Sequence, residues 1–525
     1  MVASPHALAS QAGVQVLQAG GSAVDAAIAA SAVLAVVYPH MTSVGGDGFW
    51  LIHEGRGGAV RSLDAAGQAA GSATIDWFRA RDLGAIPLRG VVPATLTVPG
   101  APHGWCEAHA RYGRLPLADD LAAAVGYARE GFPITQRLAA YIERAADVLA
   151  ADPAAARIFL AEGRRPAVGR RLLNPDLART LERLGSGGRA AFYEGETARE
   201  IVRWSREQGG FFTEADLAAQ RSRWGESIRA TYRGVTIHET PPPSQGVSVL
   251  QALRLVESHR LDALPLLGPD HVHLLVQAKQ IAFHDRDRFV ADPAFVPVPV
   301  ERLLSDAYTE ERRRLIDPAR ALPWDRVPST GSLTGDTVYV AAVDAAGNAA
   351  SLIQSLYMGF GAGVVAGRTG VVLQNRGAYF SLDPAHPNRL EPGKRPLHTL
   401  IASLAFRTGR LWQVLGCMGA DGQPQIHLQV YSALIDHGLD IQQAVAAPRW
   451  LAGRFALGDA REVLNLEGRF PDATVAELAR RGHVINRWEA WNQLAGHAHG
   501  ITIDPDSGAL VGGADPRSDG AAIGY

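Results

Sequence analysis

No stretch of the chain restricts its fold more than residues 22–39. Ser22 and Asp25 have capping-box spacing, and they lead into Ala26-Ala27-Ile28-Ala29-Ala30-Ser31-Ala32-Val33-Leu34-Ala35-Val36-Val37. A helix of small apolar residues with no polar face has to be packed on more than one side, which calls for a layered fold. The apolar run 26–38 covers 13 residues and is closed by Pro39, short of the roughly 18 needed to cross a bilayer. It reads as a buried helix.

The rest of the chain supplies the layers. Ser4-Pro5 fits an N-cap followed by proline in the first helical turn, and Gly20-Gly21 ends that helix. A glycine-rich turn, 42–48, precedes a strand at 49–52. Residues 105–320 are mostly helical in pattern, as in 118–128 and 138–157. They are interrupted by the rigid segment Thr240-Pro241-Pro242-Pro243-Ser244-Gln245-Gly246, after which a helix is expected at 249–258. Residues 322–335 change to Pro, Ser, Thr and Gly and read as a surface loop and candidate processing site. Then come a strand at 337–344, a turn at 345–348 and a return strand at 349–356. Further strands are expected at 370–373, 400–406 and 411–416, a helix at 424–436, and a last strand with a glycine-rich end over 501–525. Helical layers around antiparallel hairpins predict a layered α/β sandwich.

Composition excludes several functions. The formal net charge of −2 gives no electrostatic basis for holding nucleic acid or an anionic membrane. Cys106 and Cys417 are the only cysteines, which rules out a disulfide framework and leaves one bridge open. No basic segment followed by an apolar one opens the chain, so a cytoplasmic protein is expected, or a periplasmic one only if a leader was trimmed.

Chemistry points to the start of the late hairpin. Thr337 opens a strand directly after the loop, preceded by Gly335-Asp336. Cleavage before it would expose an α-amino group, of reference pKa near 8, able to act as base for the threonine's own hydroxyl. Gly416-Cys417-Met418-Gly419-Ala420-Asp421-Gly422 ends a strand, and its N–H groups are suited to an oxyanion hole. Cys417 has no assignable His partner and reads as a small buried residue. His271, His273, His284 and Asp285 complete no metal pattern. Gly45-Gly46-Asp47-Gly48 matches neither a P-loop nor a dinucleotide fingerprint.

Taken in order, these segments resemble the γ-glutamyltranspeptidase family of N-terminal-nucleophile hydrolases. The resemblance rests on Pro5-His6-Ala7-Leu8-Ala9, Gly20-Gly21-Ser22-Ala23-Val24-Asp25-Ala26-Ala27, Ser43-Val44-Gly45-Gly46-Asp47-Gly48, Val98-Pro99-Gly100, Pro241-Pro242-Pro243-Ser244-Gln245-Gly246, Ala282-Phe283-His284-Asp285-Arg286 and Asp336-Thr337-Val338-Tyr339 with Val343-Asp344-Ala345-Ala346-Gly347-Asn348.

It implies a four-layer αββα sandwich and a proenzyme that cuts itself between Asp336 and Thr337. The products would be a fragment of residues 1–336 and one of 337–525, held together as one intertwined heterodimer, with further oligomerisation left open. Thr337 would be the nucleophile, Ser355 the hydroxyl that bonds it, and Gly419 and Ala420 the oxyanion donors, provided Ala420 needs no positive φ. No metal or organic cofactor is implied.

The departures from the family pattern bear on the substrate. Ala66 stands where γ-glutamyl enzymes carry an Arg for the substrate α-carboxylate, His398-Thr399 replaces a serine pair, and Tyr379 replaces the acidic partner of the α-amino group. With each charge-assisted hydrogen bond worth roughly 1.5–3 kcal/mol, glutathione is expected to bind poorly. Tyr38-Pro39-His40-Met41, Gly48-Phe49-Trp50, Gln374-Asn375-Arg376-Gly377, Gly419-Ala420-Asp421-Gly422-Gln423-Pro424-Gln425 and Asp515-Pro516-Arg517-Ser518-Asp519-Gly520 are similar to the oxamate amidohydrolase branch. A small anionic amide then needs a cation. Arg376 is the candidate, with Arg89 and His398 as alternatives and Thr399, Tyr357 and Tyr379 as further substrate contacts. Arg376 as a structural salt bridge is the competing reading. The rival functions are γ-glutamyl transfer or glutathione hydrolysis, and an uncleaved, non-catalytic family member.

Overall fold

The helix Ala23–Val37 is buried along its whole length, and Ser22 and Asp25 close the capping box over its N-terminus. What covers it is visible in a computed structural model. The structure describes residues 1–525 except 56, 162, 164–165, 328–334 and 456–459. Most of the loop expected to carry the processing site therefore lies outside the described residues; Gly335 and Asp336 lie within them.

Two antiparallel sheets form the centre. One runs, in spatial order, Ala521–Ile523, Val2–Ser4, Asp336–Val343, Ala349–Tyr357, Asp47–His53, Val60–Ala65 and Arg223–Glu226. The other runs Leu510–Ala514, His497–Ile503, Arg410–Met418, Ala402–Arg407, Val235–Glu239 and Ile228–Tyr232. Phe49, Leu51, Tyr339, Ala341, Ile353, Leu404, Val414 and Ile501 fill the space between the two inner faces, as period-two alternation requires. The outer face of the first sheet is covered by helices that include Ala23–Val37, Ala101–Tyr112, Leu117–Glu130 and Pro175–Tyr193. Helices Val247–Val256, Pro269–Phe289 and Gln423–Ile435 cover the second. The chain is a four-layer αββα sandwich.

Segments from either side of the Asp336–Thr337 bond share both sheets. Val2–Ser4 pairs with Asp336–Val343 and with Ala521–Ile523, and Val235–Glu239 pairs with Ala402–Arg407.

Several expectations need correction. Ser4 is not an N-cap: its backbone is committed to the Val2–Ser4 strand, and the helix Ala7–Gln18 is capped instead by His6, whose ring accepts the Leu8 N–H. The helical middle contains three strands between Arg223 and Glu239; Ile228–Tyr232 lies at a sheet edge, where exposed Arg229 and Thr231 alternate with more buried neighbours and mask the apolar signal. Residues 370–373 make two isolated bridges, not a strand, because Gly370 turns the chain at φ 70°. The tail is three short strands. The Ala349–Tyr357 strand and the Gln423–Ile435 helix lie within a residue of their expected bounds.

Candidate active site

Thr337 lies at the open end of the central hairpin, directly opposite Ser355. Its hydroxyl donates to Ser355 Oγ at 3.2 Å; Ser355 in turn donates to the Asp336 carbonyl at 2.6 Å and accepts the Tyr357 N–H at 2.7 Å. The carbonyl of the Asp336–Thr337 bond is thus polarised by one hydroxyl while a second stands beside it. This geometry depends on a bulge: Ser355 pairs with Thr337, whereas Tyr357 pairs with Asp336, leaving Leu356 as the extra residue. The bulge puts Tyr357 at φ 82°, strain of the kind that collects at functional sites. Gly46 backs the hairpin; a Cβ there would collide with the Ser355 carbonyl.

The Asp336 side chain accepts a bond from Tyr141 Oη at 3.3 Å. Burial pushes its carboxyl up to about 6, against the opposing pull of Arg89. Arg89 Nη1 donates to the carbonyls of Gly359, at 2.7 Å, and Gly361. It therefore faces Asp336.

The strand Arg410–Met418 runs into Gly419, at φ 147°, and Ala420, at φ 48°. Ala420 thus does adopt a positive φ, contrary to the condition under which alanine was expected to be harmless. A left-handed alanine costs roughly 1–2 kcal/mol. The two N–H groups have no hydrogen-bond partner among the described residues. Gly335 lies against this turn, where a Cβ added to it would stand 2.6 Å from Ala420 Cβ. Cys417 is buried and free, its thiol pushed up well above the usual range by burial, and its one polar contact is the Gln423 carbonyl at 3.7 Å. That fits the structural reading. Cys106 is also free, so no bridge joins the pair.

Arg376 is set apart by what it lacks. It is 1% exposed. Its Nη1 donates to Thr399 Oγ1 at 2.9 Å, while Nε and Nη2 have no partner. Its guanidinium stacks 4.4 Å from the Tyr357 ring centre and 5.8 Å from that of Tyr379. Among the described residues no carboxylate bonds it directly; desolvation works against its charge, and Asp47 and Asp421 offset this only at a distance.

The other expected contacts are occupied. Tyr379 Oη donates to both oxygens of Asp421, at 2.8 and 2.9 Å, and Asp421 also pairs with Arg286. His398 donates through Nε2 to Asp47 Oδ2 at 3.1 Å, while its Nδ1 accepts the Leu400 N–H. Ala66, at the expected arginine position, is buried. Its N–H goes to Asp64, which pairs with Arg395.

Three residues escaped the sequence reading. Asp47 accepts bonds from the Gly67 N–H, Gln374 and His398, and burial raises its carboxyl to about 6. Gln245 donates to the carbonyls of Thr399 and Ala420, at 2.8 and 3.0 Å, and accepts from Arg286. Asp421 fastens that same turn. Their signal was present, since each sits inside a recognised motif, but motif membership carries no partner. A continuous set of contacts runs from Thr337 through Ser355, Tyr357, Arg376, Thr399 and Gln245 to Ala420. The arrangement unites a threonine hydroxyl, a serine hydroxyl bonded to the Asp336 carbonyl, and, among the described residues, a turn with two unbonded N–H groups and a cation that bonds no carboxylate. His271 and His273 are instead used structurally, against Ser432 and His483.

Comparisons with known proteins place the chain among relatives. The family model described as Gamma-glutamyltranspeptidase matches residues 9–525. The glutathione hydrolase-like YwrD proenzyme of Bacillus subtilis is 42% identical, covering 100% of this chain and 98% of the relative. The oxamate amidohydrolase proenzyme of Klebsiella pneumoniae is 40% identical over the same shares. The crystal structure of cephalosporin acylase from Bacillus halodurans superposes with a TM-score of 0.92 at 39% identity, covering 99% of this chain and 94% of that one. The chain has the N-terminal-nucleophile hydrolase fold and belongs to the γ-glutamyltranspeptidase family of hydrolases and transferases.

Proposed function

We propose that this protein is a self-cleaving amidohydrolase with an N-terminal threonine, acting on a small amide that carries a carboxylate, of which oxamate is the simplest example. The observation that carries this reading is Arg376: a buried guanidinium with two nitrogens unbonded and no acidic partner among the described residues. A buried cation without a partner is costly, and an anionic substrate would supply the partner.

In self-cleavage the Thr337 hydroxyl attacks the Asp336 carbonyl, which Ser355 polarises. The C–N bond opens as the acyl group moves to Oγ, and water hydrolyses the ester. The products are the fragments 1–336 and 337–525, which stay together as a heterodimer because both sheets contain strands of each. The freed α-amine of Thr337 then accepts the proton of its own hydroxyl, directly or through water, as Oγ attacks the substrate amide. The Gly419 and Ala420 N–H groups stabilise the oxyanion. Ammonia leaves, and water releases the acid from the acyl-enzyme.

Two features speak against a γ-glutamyl substrate. Ala66 offers no cation, and Tyr379, where the family pattern has an acid, carries no charge and is committed to Asp421. The relative named for oxamate supports the short substrate. Intact mass of fresh protein and ammonia release from oxamate and from L-glutamine test the proposal. Two fragments with Thr337 as a new N-terminus and a preference for oxamate are expected. A single mass near 55.8 kDa with no ammonia released would refute it, and a preference for glutamine would transfer the site to γ-glutamyl chemistry.

A further inference from the structure

Asp25, His109 and Asp120 converge between three helices, and nothing in the threonine chemistry uses them. Asp25 lies in the first turn of Ala23–Val37, His109 in the last turn of Ala101–Tyr112, and Asp120 in the first turn of Leu117–Glu130. One ligand atom from each lies within 4.8 Å of the others. His109 Nε2 is 4.0 Å from Asp25 Oδ1 and 3.8 Å from Asp120 Oδ2, and 2.8 Å from the Leu115 carbonyl.

What marks this as a site is its unmet bonding. Asp120 is 1% exposed, and among the described residues no N–H or hydroxyl reaches either of its oxygens; only the Asp25 carboxyl stands close enough to share a proton with it. Asp25 is fully buried. Its Oδ2 accepts the Ser22 and Arg114 N–H groups, both at 2.8 Å, while Oδ1 points unbonded into the gap. Buried carboxylate oxygens are rarely left in this state. A proton shared between the carboxylates would satisfy one oxygen of each and still leave Asp120 with an unbonded oxygen. A protonated His109 would stand beyond hydrogen-bond reach of both.

We propose that Asp25 Oδ1, Asp120 and His109 Nε2 bind a divalent cation of the zinc class, with the Leu115 carbonyl or water completing the shell. Two carboxylates balance a double positive charge, and one imidazole among oxygen donors selects zinc-like ions over calcium or magnesium. Binding displaces any proton shared by the carboxylates and fixes His109 as the Nδ1–H tautomer. The His109 side chain, 22% exposed, gives the ion its way in.

The role is structural. Ala23, beside Asp25, donates its N–H to Asp344, past the far end of the strand that Thr337 opens, and seven residues of strand separate the two by about 20 Å. The ion would clamp three helices of one outer layer without touching the nucleophile.

Elemental analysis of protein purified without chelator, followed by thermal melts, tests this. About one equivalent of zinc, manganese or cobalt per chain is expected. EDTA treatment should lower the melting temperature by at least about 2 °C, and added Zn²⁺ should restore it. His109→Gln, at a partly exposed position, should fold normally by circular dichroism yet lose both the ion and the response to Zn²⁺. Asp120→Asn should behave alike where it folds. Metal below about a tenth of an equivalent, with melts indifferent to EDTA and Zn²⁺, would overturn the proposal in favour of a shared proton. So would stabilisation by Ca²⁺ or Mg²⁺ alone, or a His109→Gln variant that keeps the Zn²⁺ response.

Discussion

Replacing Arg376 by methionine should move activity and stability in different directions. In the wild-type chain one guanidinium nitrogen is bonded to Thr399, and Nε and Nη2 are left free. A carboxylate taking both in a fork gains two charge-assisted bonds, about 3–5 kcal/mol together. At 1.36 kcal/mol per tenfold, their loss lowers kcat/KM for oxamate by roughly 10²–10⁴-fold, mainly through KM. The fold loses no ion pair. Methionine keeps much of the volume and an attractive contact with the Tyr357 ring, and a buried guanidinium that no carboxylate bonds directly, offset only at a distance by Asp47 and Asp421, can be removed at little cost to stability. The assay is ammonia release from oxamate and from oxamide, which has no carboxylate, together with a thermal melt and a gel scoring self-cleavage. Oxamate turnover should collapse, oxamide turnover should change by less than about threefold, cleavage should persist, and the melt should hold or rise. A fall in kcat/KM for oxamate of under about threefold, or a clear drop in melting temperature with normal kinetics, would refute the reasoning and return Arg376 to a structural role.

Other outcomes follow from the same geometry. Thr337→Ala should leave one uncut chain on a denaturing gel, while Ser355→Ala, which removes the hydroxyl polarising the Asp336 carbonyl, should slow self-cleavage by about 10²–10³-fold in a time course of fragment appearance. Ala420→Gly relieves a left-handed alanine at φ 48° and should stabilise the protein by about 1 kcal/mol in urea unfolding, with catalysis retained. Asp47 has a folded pKa of about 6, above its unfolded value near 4, so the folded state holds the extra proton. Its contribution is complete below about pH 4 and is lost as pH rises through 6, about 3 kcal/mol in all. The slope of unfolding free energy against pH between 4 and 6 should flatten in Asp47→Asn, and an unchanged slope would count against the buried, raised carboxyl.

Local patterns in the sequence were enough for the main elements. Capping at Ser22 and Asp25, the unbroken small-residue helix and the hairpin around residues 345–348 are set by neighbours a few residues apart. The edge strands Arg223–Glu226 and Ile228–Tyr232 escaped because exposed charged and polar side chains break the apolar alternation there. The N-terminal cap was misassigned because Ser4 is held extended by pairing with residues more than 300 positions away.

The candidate site divides the same way. Thr337, the glycine-rich turn at 416–422 and the loss of the cation at Ala66 are properties of single positions and could be read there. Whether Arg376 meets an acid, whether Tyr379 is free and what His398 touches could not. His398 meets Asp47 across 351 residues, and Tyr379 meets Asp421 across 42. The sequence by itself determined the layered class, the hairpin that carries Thr337 and the alanine at position 66 where the family pattern has an arginine. Only the tertiary structure decided that Arg376 is buried unpaired and that Ala420 is held left-handed, because the partner of a buried polar group is set by how distant elements pack, not by the residues beside it.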